Sequence, residues 1–147
     1  MAVSAVAVAG YSRLFADAGW MVPAALAVAG AHLVGAATGA WRWTRAVAAH
    51  ALALAVLLAG TVGGSTVAGL PTVATVERLG TAVSDAGGAF RSAIVPAPTT
   101  PELILWVVAG TWVCAAISQR LARRRPASLG AAVPLVVIQV LVAVLGT

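Results

Sequence analysis

The sequence predicts an all-α, polytopic membrane fold: four transmembrane helices, a partial N-terminal helix and an outer amphipathic helix. Three observations carry that expectation. First, the runs 18–41, 46–76, 103–119 and 126–147 contain no charged residue. Second, arginines crowd two of the three gaps between runs, with Arg42 and Arg45 in the first and Arg120, Arg123, Arg124 and Arg125 in the last. The middle gap, 77–102, holds Glu77, Arg78, Asp85, Arg91 and Glu102, for a net charge of −1. Third, the 147 residues are 61% apolar and 9% charged, with a mean hydropathy of +1.01. A soluble domain has about 45–50% apolar and 25% charged residues. Crossing roughly 30 Å of hydrocarbon takes about 20 apolar residues as a helix, which each run supplies or nearly supplies. A charge at mid-span costs about 2.5–3.5 kcal/mol, so runs this long and this clean argue against a soluble helical bundle.

The elements follow in order. Residues 1–11 are apolar but too short to span, and no basic residue precedes them as a signal peptide requires. They read as the tail of a span whose beginning is missing, and the chain is expected to start inside a longer protein. The first full span covers about 20–40, with Trp20 at one end and Trp41 and Trp43 at the other, an aromatic belt at both interfaces. Pro23 falls in its first turn, where a missing N–H does no harm. A tight turn over 41–45 reverses the chain into a second span, about 46–66, which dissolves into Gly63-Gly64-Ser65-Thr66.

Residues 67–102 form the one substantial loop. Within it, 72–90 has helical period, with Val76, Leu79, Val83 and Phe90 on one face and Glu77, Arg78 and Asp85 mostly away from it. Such a helix lies on the membrane surface or against the bundle. Pro96-Ala97-Pro98-Thr99-Thr100-Pro101 is a stiff connector. Thr100 then serves as N-cap, Pro101 as first helical residue and Glu102 as first-turn acid for a span over about 101–121. Trp106 lies near its outer end and Arg120 snorkels at its inner end. Arg123-Arg124-Arg125-Pro126 stops it, and a last span over about 128–146 ends flush with the C-terminus, which again suggests a piece of a longer protein.

Arginine excess marks the cytoplasmic side. Both arginine turns therefore face in, and 67–102 and the exit after Thr147 face out. Arg13 with Asp17, also outside, is a neutral pair. The charge of +5 does not point to nucleic acid, because six of the nine arginines sit in two short turns where they set topology and meet anionic headgroups. The absence of Lys beside abundant Ala, Val, Gly and Arg suggests a GC-rich bacterial genome, and hence the cytoplasmic membrane of a bacterium.

Catalytic chemistry finds little material. Cys114, His32 and His50 are the residues with nucleophile or base potential. Counting helical rise places His32 and Cys114 at similar depth, but no acid or Asn in either span could orient the imidazole, and a thiolate is disfavoured there. A structural hydrogen bond is the simpler role for His32 and His50, with an intramembrane polar function as the alternative. No catalytic, cofactor-binding or metal-ligating set is expected, and no cofactor. Gly35-x-x-x-Gly39 and Gly60-x-x-x-Gly64 favour close packing of the first two spans. The two arginine-tipped hairpins share a direction and could form a parallel repeat, but the interrupted mid-membrane helices of a transporter are missing.

The order of features resembles a known family. It runs from Tyr11-Ser12-Arg13-Leu14-Phe15-Ala16-Asp17 before Trp20, through the arginine turn, to an outer loop with Pro71-Thr72 and Glu77-Arg78-Leu79. Val95-Pro96-Ala97-Pro98-Thr99-Thr100-Pro101 then precedes a span, and Arg123-Arg124-Arg125-Pro126-Ala127-Ser128-Leu129 opens the next. This resembles the N-terminal membrane domain of bacterial TgpA-type transglutaminase-like membrane proteins. The resemblance implies a bundle that anchors an extracytoplasmic papain-like domain with Cys, His and Asp, none of which maps onto this chain. Cys114 inherits no role. Two other readings stand beside it: a free-standing membrane scaffold that acts through its Gly/Ala-rich helices, and a small transporter subunit. The bilayer is the expected partner in each case.

Overall fold

The computed structural model describes residues 9–62, 66–67 and 70–124, and beyond them 132, 133, 136, 137 and 140. Among these, four helices carry the fold: α1 Met21–Ala37, α2 Trp43–Thr61, α3 Val73–Ser92 and α4 Pro101–Arg124. A 3-10 turn, Gly10–Arg13, precedes them. The loop after α2 holds a minimal ladder the sequence did not suggest: β1 Thr66–Val67 pairs antiparallel with β2 Leu70–Pro71. The fold is otherwise helical, as expected.

Two of the helices, Trp43–Thr61 and Pro101–Arg123, are long and apolar enough by length and composition to cross a membrane. The expectation of four spans is met only in part. Helix α1 has 17 residues, about 25 Å of rise, because Thr38 ends it three positions early. Thr38 N–H and its hydroxyl both donate to Val34 O, at 2.9 and 2.7 Å. The 128–146 run and residues 1–8 fall almost wholly outside the described residues. Helix α2 starts three residues sooner than expected, so the reversing turn is 38–42 and Arg45 sits in the first helical turn. A cation is unfavourable there by about 0.3–1 kcal/mol against the helix dipole, so helix stability does not explain its position.

The caps follow the sequence closely. Thr100 Oγ1 accepts from Leu103 N–H at 3.4 Å at the start of α4. Helix α3 opens on a reciprocal box between Thr72 and Thr75, whose backbone N–H groups each reach the other's hydroxyl, at 3.0 and 3.2 Å.

Helices α1 and α4 run parallel, side by side. Gly30 lies against Trp112, Gly35 against Gln119 and Gly39 against Arg123, so both chains advance together. Ala24, Ala27 and Ala31 are fully enclosed on this seam with Val108 and Ala115, while Leu33 on the far side of α1 is 69% exposed. Along this seam of α1, alanines lie inside and Leu33 outside, the reverse of the pattern of a water-soluble core. They match helices that approach closely through small residues and turn their bulk to lipid. Helix α2 carries this further: only 11% of its apolar stretch is buried, against 33% for α4. A core helix of a soluble domain would be mostly enclosed.

The Gly35/Gly39 pair thus serves the α1–α4 seam and not the α1–α2 packing expected of it. Gly60 faces open space. Helix α3 also differs in one respect. It rests on the bundle through Thr75, Ala82 and Ala86, and leaves Val76 and Val83 exposed. The valine row lies beside the buried strip, not on it, because only small residues let the helix sit close to α4. There, Trp106 Nε1–H donates to Ala86 O at 2.9 Å, and the ring stands 5.5 Å from Phe90.

Candidate functional site

The two ends of the bundle differ in chemistry. At the end where α1 and α4 begin, the N-terminal segment and the 95–100 connector are laced together. Ala16 N–H donates to Ala97 O at 2.9 Å and Ala97 N–H to Leu14 O at 2.8 Å. Asp17 is the polar hub: its carboxylate accepts from Thr99 N–H and Gly19 N–H, each at 2.8 Å, and from the Thr99 hydroxyl. These donors, led by the hydroxyl, hold the carboxyl below its ordinary range. Asp17 therefore works through Thr99, where the sequence had suggested only charge balance with Arg13.

This lacing covers Trp20. Of the indoles expected at headgroup level, Trp41, Trp43 and Trp106 are 53%, 60% and 47% exposed, whereas Trp20 is 5% exposed. Its ring packs edge-on to Tyr11 at 5.9 Å and stacks on Phe15 at 6.2 Å. Tyr11 Oη reaches Thr111 Oγ1 of α4 at 3.2 Å. Cys114 packs against this same aromatic cluster, which supports a packing role.

The opposite end gathers the arginines. Arg120 lies over the Trp43 ring, 4.4 Å from its centroid, a cation–π contact that joins α4 to the start of α2. Arg123 extends over Gly39, where any side chain would collide with the guanidinium. Arg42 occupies the N-cap position of α2 at this end, without a side-chain capping bond. Arg124 ends α4, and Arg125 lies outside the described residues.

Above these groups α1, α2 and α4 enclose a cavity of about 600 Å³. It is an open groove, lined by Arg120, Arg123, Trp41 and Trp43 and by the apolar Val47, Leu54, Val113 and Ile117, of which Val47, Val113 and Ile117 are themselves exposed. Among the described residues that line it, none is acidic. Trp112 and His50 form the inner wall, edge to face at 6.0 Å. Trp112 is 3% exposed, yet among the described residues its Nε1–H has no acceptor, and neither His50 Nδ1 nor Gln119 Oε1 has a partner. A buried donor left unpaired costs about 1–3 kcal/mol, which makes the cluster conspicuous.

The candidate residues separate accordingly. His50 joins the cavity wall. His32 contributes its backbone carbonyl, which accepts from Gln119 Nε2–H at 3.1 Å. Trp112, Gln119 and Gly30 went unremarked in the sequence. Trp112 did carry a signal: it is a Trp at mid-run, far from either charged boundary. Among the described residues no group of three His, Cys, Asp or Glu side chains is placed to hold a metal ion. No protein family, curated protein or solved structure matches the chain.

Proposed function

We propose that this chain is a non-catalytic, multi-pass anchoring domain of the bacterial cytoplasmic membrane. The observation that carries this reading is the meeting of the two arginine groups at one end of the bundle, through Arg120 on Trp43 and Arg123 on Gly39. Helices that place their arginines on one face and their large apolar side chains outward are suited to a bilayer, with the arginine end cytoplasmic. The Asp17–Thr99 end and helix α3 then lie outside. From the resemblance to TgpA-type proteins, the domain holds an outward transglutaminase-like domain in position. The exposed apolar rows of α1 and α2 suit a second reading, a free-standing scaffold for a larger membrane complex.

The test uses single cysteines in a Cys114→Ala background, labelled in intact cells with an impermeant thiol reagent. Position 85 should label and position 124 should not. The reverse pattern would overturn the orientation. Anchor and scaffold separate on the natural reading frame beyond codon 147: a Cys…His…Asp domain supports the anchor, an immediate stop the scaffold.

A further inference from the structure

We propose that the cavity at the arginine end binds one anionic phospholipid, and the inference rests on the membrane reading above. Two independent features converge there. The mouth is cationic: Arg120 and Arg123 line it with no acidic neighbour among the described lining residues. Basic pockets between membrane helices on the cytoplasmic side are suited to phosphate headgroups. The rest of the lining is mostly apolar, and the volume of about 600 Å³ falls in the roughly 300–1,000 Å³ span of small-molecule sites.

A phospholipid presents complementary groups in the same order. Its phosphate pairs with the guanidinium groups. An acyl chain then lies along Val47, Leu54 and Ile117. A small soluble anion would satisfy the arginines alone and leave the apolar wall uncovered. Trp41 and Trp43, half-exposed at the rim, suit the headgroup level. Gly35 and Gly39 matter because bare backbone lets Gln119 and Arg123 cross over α1 at the mouth.

The experiment is native mass spectrometry of the full chain released from detergent, titrated with phosphatidylglycerol, phosphatidylcholine or inorganic phosphate. Two cationic contacts at about 1 kcal/mol each predict a roughly 10- to 30-fold preference for the anionic lipid, with one bound per chain. The Arg120→Gln/Arg123→Gln pair should erase that preference. Ala116→Phe, which narrows the cavity and keeps every charge, should reduce retention of phosphatidylglycerol at least tenfold. Equal retention of both lipids, or unchanged retention in Ala116→Phe, overturns the proposal. So does displacement of the lipid by millimolar phosphate, which would make this a soluble-anion site. Efficient cross-linking of Ala51→Cys to Val136→Cys in lipid-saturated, Cys114→Ala protein would put the chain's own last segment in the cleft and would equally overturn it. Carbonate extraction of membranes keeps the two readings apart. A chain that washes out refutes membrane insertion, whereas a chain that stays in but shows no lipid preference refutes only the site.

Discussion

At the scale of single residues, glycine and aspartate carry more of the architecture than the aromatic residues do. A Cβ built on Gly30 would come within 2.5 Å of the Trp112 ring, whereas one on Gly60 meets nothing. Gly30→Leu should therefore lower the unfolding midpoint in detergent by the equivalent of about 1–3 kcal/mol, and Gly60→Leu should leave it nearly unchanged. Equal effects would mean the seam is not where Gly30 and Trp112 meet. Asp17 makes a pH prediction. Its folded carboxyl is held below the ordinary 3.8 by the Thr99 hydroxyl, Thr99 N–H and Gly19 N–H. A depressed acid stabilises the fold above the unfolded value and loses that contribution as pH falls through the folded one. The Thr99 amide resonance should follow a titration with its midpoint below 3.8, and Asp17→Asn should abolish it. Near neutral pH that variant should also melt earlier than the parent, with the difference closing in acid.

At the scale of elements, α3 shows how a helical pattern can be legible while its orientation is not. The period over 72–90 marks a helix, and Val73–Ser92 is one, with Thr72 as its cap. Around that helix the residues fall into three sectors: small ones on α4, valines beside them, and Glu77, Arg78 and Asp85 opposite. Hydrophobicity alone ranks the valines as core. Close approach to α4 instead selects Ala82 and Ala86, which are 3% exposed, and turns Val76 and Val83 outward. That leaves an apolar strip suited to the membrane interface. Spin labels at positions 76 and 83 should relax with dissolved oxygen, and labels at 78 and 85 with an aqueous nickel complex. Equal access of nickel to all four would place α3 away from lipid. Helix α4 was easier to read, because Thr100-Pro101-Glu102 and the arginine stop are local signals that need no partner.

At the scale of the whole molecule, the parallel course of α1 and α4 is the organising feature. It brings Arg120 and Arg123 to the start of α2 and sets Asp17 against Thr99 at the other end, 82 positions away in sequence. A short thiol cross-linker should join cysteines at positions 39 and 123 and fail to join 39 and 103. The opposite result would make the two helices antiparallel and separate the arginine groups. The cavity exists only because of this arrangement, since α1, α2 and α4 each contribute one wall. None of its walls stands out in the sequence. Val47, Ala51, Val113 and Ala116 look like any other apolar residues of their runs, and only Trp112, a Trp at mid-run, is unusual in the sequence.

The sequence by itself determined the described helical stretches, the Thr100 cap and the charge asymmetry, because each depends on a residue and its near neighbours against water or lipid. Hydropathy, a capping hydroxyl and an arginine cluster act within a few positions of the backbone they serve. The tertiary structure decided which faces meet. It set Gly30 on Trp112, moved the glycine pair from α2 to α4, buried Trp20 under the N-terminal segment and opened the cavity between the arginines. Those outcomes depend on shape matching between residues as far apart as Gln119 and His32, 87 positions along the chain. Van der Waals complementarity of that kind is a property of pairs, and no single run of sequence contains it.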